Sequence, residues 1–233
     1  VLNTIMAQEL EEFADILEQS NDFQTDLQNL LHDTFKAHQR IIFNGNGYGE
    51  DWVQEAQRRG LSNLRDTVDC MPAYIDPKNI RLFAGHNILS ETEMRARYEI
   101  HLENYCKVTA IEASTLRDMV LRGILPAVNR YTADLTQAIL HKRELVVPCR
   151  VEEDLLSKLS GLTDDIAEAA DALEASLVAY HKIGDVAEAA CFIRDEVLPK
   201  MDALRAPADE AERFTAAEYW PFPTYGDLLF GVK

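Results

Sequence analysis

Apolar residues recur at intervals of three and four over most of this chain, the spacing that lines one face of an α-helix. The cleanest run is Leu155, Leu159, Leu162, Ile166, Ala169, Leu173, Leu177 and Tyr180, with steps of 4, 3, 4, 3, 4, 4 and 3. That near-heptad stripe predicts a long helix with a narrow buried seam. At the start of the chain, Asn3 or Thr4 is placed to cap a helix burying Leu2, Ile5, Met6, Leu10, Phe13, Ile16 and Leu17. A second helix over 23–38 turns Leu27, Leu30, Leu31 and Phe35 inward, and a short one over 50–59 is stopped by Gly60.

From residue 90 the periodic segments lengthen. Ser90-Glu91-Thr92-Glu93 has the form of a capping box, in which the Ser hydroxyl and the Glu carboxylate each satisfy the other's backbone N–H. The helix it opens continues to about residue 144, with a kink or break expected near Gly123 and Pro126, because proline removes one ladder bond. Pro148 marks a connection over 145–150, and Ile183-Gly184-Asp185 a tight turn between helices. The last long helix buries Val186, Ala190, Ile193, Val197, Met201 and Leu204 and bends at Pro199 and Pro207. Short connections make successive helices run antiparallel. The pattern therefore predicts a mainly all-α fold. A small helical section occupies 1–89, a long antiparallel three-helix bundle 90–215, and an extended aromatic and proline-rich tail 216–233.

The tail differs in kind. Residues 218–230 hold five aromatics and two prolines, and Pro221 and Pro223 forbid a helix between them. So apolar an extended segment must dock. Tyr219, Trp220, Phe222, Tyr225, Leu228 and Phe230 are the docking candidates. Their surface is this same chain or a neighbouring subunit.

Composition removes whole classes of function. The formal charge of −17 argues against a nucleic-acid backbone, which requires clustered Lys and Arg, and against an anionic membrane surface. Much of the acidity lies between residues 152 and 212, where it reads as solvated helix faces. No apolar run reaches the ~18 residues of a membrane span. Cys70, Cys106, Cys149 and Cys191 are isolated, with neither CxxC nor zinc-finger spacing. They are read as reduced thiols in a cytoplasmic protein.

Catalytic patterns are missing as well. The six histidines form no HExxH and no Glu-x-x-His pair, and Glu99, His101 and Glu103 do not share a helix face. The glycines of Gly45-x-Gly47-x-Gly49 follow a strand-like Ile41-Ile42-Phe43, as in a dinucleotide loop. The third glycine comes one residue early, however, and Glu50 and Asp51 sit where a phosphate would meet the helix. The loop is read as a structural turn, with Tyr48 and Trp52 as core anchors. On residues alone, no catalytic, cofactor-binding or metal position is assigned.

Three blocks resemble the type III glutamine synthetases. Val1-Leu2-Asn3-Thr4-Ile5 with Ala7 and Glu9 is similar to the helix after that family's final catalytic strand. Ile42-Phe43-Asn44-Gly45-Asn46-Gly47-Tyr48 with Trp52, Glu55, Ala56 and Arg59-Gly60-Leu61 resembles the motif just downstream. The run 218–230, Glu-Tyr-Trp-Pro-Phe-Pro-Thr-Tyr-Gly-Asp-Leu-Leu-Phe, resembles the terminal motif. Arg97-Tyr98-Glu99, Leu102-Glu103-Asn104-Tyr105 and Ile111-Glu112-Ala113 match between them, so the likeness covers essentially the whole chain in order.

The resemblance implies the C-terminal, non-catalytic part of an enzyme that joins ammonia to glutamate at the expense of ATP, with Mg²⁺ or Mn²⁺ in its site. In the family the metal ligands and arginines lie in a barrel upstream, so this chain alone is expected to be inactive. The implied partners are that barrel and further copies of the same chain in a homo-oligomer. An independent helical scaffold or interaction module remains the alternative.

Overall fold

The computed structural model describes residues 1–223 and 225–231, with the side chains of all of these except 225 and 226. All regular structure among them is helical, which bears out the all-α class. The chain divides into two compact units, Val1–His101 and Leu102–Lys233.

The first unit contains α1 (Leu2–Glu18), α2 (Phe23–Ala37), α3 (Glu50–Arg58), α4 (Thr67–Tyr74), α5 (Pro77–Gly85) and the start of α6 (Glu91–Met119). Three of its helices, α2, α4 and α5, begin on acidic caps. Asp22 accepts from the Thr25 N–H, Asp66 from Asp69 and Asp76 from Lys78. The capping box of α6 is present with both halves made. Glu93 N–H donates to Ser90 Oγ at 3.3 Å, and Ser90 N–H donates to Glu93 Oε2 at 2.8 Å.

Burial in α1 departs from the sequence expectation. Leu2, Ile5, Met6, Leu10 and Ile16 are exposed, Phe13 and Leu17 are half-buried, and Thr4 is the residue that is buried. In α2, Leu27 and Leu30 are half-buried while Leu31 and Phe35 are exposed. The periodicity was read correctly as helical. It does not say what covers the apolar face, and within this unit nothing covers most of it.

The glycine-rich loop contains no strand. Gln39–Ile41 form a single 3₁₀ turn. Beyond it, Phe43 stacks on Trp52 with ring centroids 4.5 Å apart, and the Arg59 guanidinium stands about 6 Å from both rings. Arg59 Nη1 also donates to the carbonyl of Ile42 at 2.7 Å, and both Arg58 and Arg59 grip Glu55. A Cβ on Gly45 would lie 2.5 Å from the Phe43 ring, so the ring can hold its stack only beside glycine. Trp52 is half-buried, as an anchor should be, but Tyr48 is fully exposed at 102% and anchors nothing in this unit. Gly60 ends the segment in the left-handed region at φ 72°, with its N–H bonded to the Gln57 carbonyl.

The second unit is built from the rest of α6, α7 (Leu125–Glu144), α8 (Arg150–Tyr180), α9 (Val186–Phe192), α10 (Leu198–Phe214) and α11 (Tyr225–Phe230). α8 has α7 and α10 as its main neighbours. Along it Leu159, Ile166, Leu173 and Leu177 are buried, with Leu155, Leu162, Ala169 and Tyr180 half-buried, so the predicted stripe is the seam. Opposite it stand Leu135 and Ile139 of α7 and Leu204, Ala208 and Ala211 of α10, all buried. The connection 145–149 is clamped by two ion pairs, Lys142 to Glu152 and Arg143 to Glu153. Asp185 caps α9 through the N–H groups of Ala187 and Glu188.

Neither Pro126 nor Pro199 breaks its helix. Each follows a single π turn, Val120–Ile124 and Ile193–Val197, in which the N–H of the next residue reaches back five positions, Leu125 to Val120 and Leu198 to Ile193. A proline within α-geometry collides with the carbonyl four residues earlier. The wider π turn moves that carbonyl aside while the helix continues. The same Leu-Pro dipeptide stands at both places.

Candidate docking site of the aromatic tail

Residues 216–223 leave α10 without forming a helix, as the two prolines require. They fold back onto the second unit. Tyr219 lays its ring against Tyr131 of α7, centroids 5.1 Å apart and planes tilted by 43°. Its hydroxyl donates a short hydrogen bond to the Asp134 carboxylate, which holds the phenol above its ordinary titration range.

Phe222 lies on the π turn itself. A Cβ built on Gly123 would stand 3.3 Å from the Phe222 ring and 3.6 Å from the Pro221 ring, so a methyl there presses the ring back by a few tenths of an ångström and a larger side chain blocks the approach. Trp220, Phe222 and Leu228 border a cavity of about 480 Å³ whose floor is Met119, Val120 and Ile124. Pro221 and Pro223 fix the path between these rings.

The six predicted docking residues thus fall into three groups. Tyr219, Trp220 and Phe222 are half-buried against their own chain. Leu228 and Phe230 belong to the short helix α11, which begins within the segment read from sequence as extended, and both are exposed, Phe230 at 81%. Tyr225 lies outside the residues whose side chains are described. Of the receiving residues, Tyr131 and Asp134 carry no sequence signal, and Gly123 stands out from sequence only beside Pro126 as an expected kink. A glycine inside a long helical pattern often marks the close approach of another segment.

The chemistry of this site is that of packing. Among the described residues no group of three His, Cys, Asp or Glu side chains converges as metal ligands would. The side chains present therefore do not fit the divalent metal that the resemblance implies for a whole enzyme. None of the described helices is long and apolar enough to cross a membrane.

Comparison with known proteins settles the family. Residues 26–143, about half of the chain, match the family model described as the glutamine synthetase C-terminal domain. The chain belongs to that family. It is 35% identical to a glutamine synthetase of Butyrivibrio fibrisolvens over 215 residues, covering 91% of this chain and 31% of that protein. A type-3 glutamine synthetase of Dictyostelium discoideum is 30% identical over 99% of this chain and 32% of its own length. A glutamine synthetase of Bacteroides fragilis (strain YCH46) is 30% identical over 98% of this chain and 33% of its own. The resemblance to type III glutamine synthetases is therefore borne out, and the chain spans about a third of the length of the curated relatives it matches. This glutamine synthetase C-terminal domain packs residues 219–222 of its tail against α7 and the turn that holds Gly123.

Proposed function

We propose that this chain is the non-catalytic C-terminal portion of a glutamine synthetase, supporting the catalytic barrel and the assembly of the enzyme in the cytoplasm. In this reading the whole enzyme joins ammonia to glutamate with ATP. Mg²⁺ or Mn²⁺ and the nucleotide are held by residues outside this chain.

The observation that carries the proposal is the bare apolar face of the first unit. Leu2, Met6 and Leu10 recur on α1 at steps of four, yet Leu10 is 61% exposed, and the exposed Phe35 and Ile42 line a cavity with Glu9 of the same helix. A contiguous apolar face of this kind is a contact surface, since water-facing helices carry polar residues there. A catalytic barrel carried by the same polypeptide is the partner the family supplies. The 48 to 52 region fits the same role, because a rigidly held loop presents the exposed Tyr48 as an anchor for a neighbouring surface.

The test is a glutamine-synthesis assay with Mg²⁺ and ATP on this chain and on one extended upstream through the barrel. An active extended chain beside an inactive short one supports the proposal. Activity in the short chain overturns it. Inactivity of both, with the two parts failing to associate, favours the independent helical module.

A further inference from the structure

The outer face of α6 carries a groove that is symmetric under reversal of the helix. A cavity of about 370 Å³ is lined on α6 by Lys107, Ala110, Ile111, Ser114, Thr115 and Asp118, with Tyr180 and His181 as its side wall. The six α6 positions are spaced three, one, three, one and three apart, a stripe over three turns in which Ala110 is buried and the other five reach the surface. At its middle Ile111 is 65% exposed, flanked by the small residues Ala110 and Ser114. At its ends stand opposite charges, the Lys107 side chain 68% exposed and that of Asp118 49% exposed.

Two such helices set antiparallel about a two-fold axis match each position with its mirror. Lys107 of one faces Asp118 of the other, Ala110 faces Thr115, and Ile111 faces Ser114. The ends stand ~16 Å apart at 1.5 Å rise per residue, so both ion pairs form together. A parallel arrangement would instead set Lys107 against Lys107 and Asp118 against Asp118.

We propose that this face of α6 is an isologous contact with a second copy of the chain, joined antiparallel by reciprocal Lys107–Asp118 pairs around a centre of Ile111, Ala110 and Ser114. The charge pattern fits a second copy, because the stripe is complementary to itself when reversed and an isologous contact requires such self-complementarity. The small residues let two helix backbones come close while Ile111 fills the space beside the axis. Within one chain Lys107 already meets Glu103 at 2.8 Å, and Asp118 lies 3.7 Å from Arg122 and 3.8 Å from Arg117. These are exposed pairs of little strength, and each carboxylate or ammonium has capacity for a second partner. Three turns of helix bury less than the ~1,000 Å² of a stable dimer, so the contact is weak alone and gains strength by repetition in a larger assembly. The inference deepens the assembly role proposed above and rests on that reading.

Sedimentation velocity of the 233-residue chain over a concentration series tests it, with Lys107→Glu, Asp118→Lys and the double exchange. Each single reversal sets like charges together at both ends and should weaken self-association by about tenfold or more. The double exchange should restore it. Far-ultraviolet circular dichroism checks that every variant is folded. A chain monomeric at all concentrations overturns the proposal, as does self-association indifferent to the single reversals. Single reversals that instead weaken binding of an added upstream barrel, with no rescue by the double exchange, overturn it too and leave the support role standing. Loss of the support role shows separately, as an inactive extended chain.

Discussion

The Tyr219 hydroxyl donates to the Asp134 carboxylate across 85 positions of sequence, tying the tail to α7. Because the bond is made by the protonated phenol, it raises the titration point of Tyr219 in the folded chain above its unfolded value near 10. The contribution is therefore complete below pH ~10 and is lost as pH rises through the higher folded value. Trp220 emission should shift to that of an exposed indole in this alkaline range, before the bundle unfolds. Tyr219→Phe should remove the step, and its persistence in that variant would show that another group holds the tail.

Leucines on two helices should behave oppositely. Leu173 is fully buried in the α8 seam, and Leu173→Ala should cost about 2–5 kcal/mol, read as a lower urea midpoint at unchanged slope. Leu10→Ala on α1 should change stability of this chain by no more than about 0.5 kcal/mol. In an extended chain the same change should weaken attachment of the barrel. Equal destabilisation by the two substitutions in the short chain would contradict the exposure of α1.

Gly123 separates helix propensity from tail docking. Alanine there should gain up to about 1 kcal/mol of helix stability and displace the Phe222 ring by a few tenths of an ångström, leaving unfolding nearly unchanged. Gly123→Leu fills the position of the ring, and Trp220 emission should move to longer wavelength. Unchanged emission would mean that the tail does not need this approach.

The loop beside α3 has an acid latch. Arg58 and Arg59 hold the Glu55 carboxyl down at about 2, below its ordinary 4.5. A depressed folded value gives a contribution that is present above the unfolded value and lost only as pH falls through about 2. In a Trp220→Phe background, Trp52 emission should therefore stay constant from pH 7 to 4. Arg59→Ala should alter it already at pH 7, since both the stack and the carbonyl contacts of Ile42 depend on that guanidinium. A shift near pH 5 in the Trp220→Phe protein would refute the latch.

What could be read from sequence depended on where each partner lies. The α8 stripe was legible down to individual residues because Leu159, Ile166 and Leu173 meet α7 and α10 within this chain. The same reasoning applied to Leu2, Met6 and Leu10 gave the right helix and the wrong burial, since periodicity identifies an apolar face and not its cover. Pro126 and Pro199 were visible as faults. Their remedy was not, because a one-residue widening of the turn is a backbone response with no composition of its own. For the tail, composition said that Tyr219, Trp220 and Phe222 dock. Their address depended on Asp134, which does not stand out in a helical pattern, and on the absence of a side chain at Gly123, which marks a fault in the helix without saying what fills it.

Helices ordinarily loosen from their ends, where amides lack partners. The turns at Val120–Ile124 and Ile193–Val197 place a missing amide and a stretched ladder in the middle of two long rods instead. At both places the turn also feeds side chains into the core, with Val120, Ile193 and Val197 wholly shielded from water. Deuterium uptake should accordingly divide each rod into two halves that open independently, with the core holding shut the joints that the backbone leaves weakest.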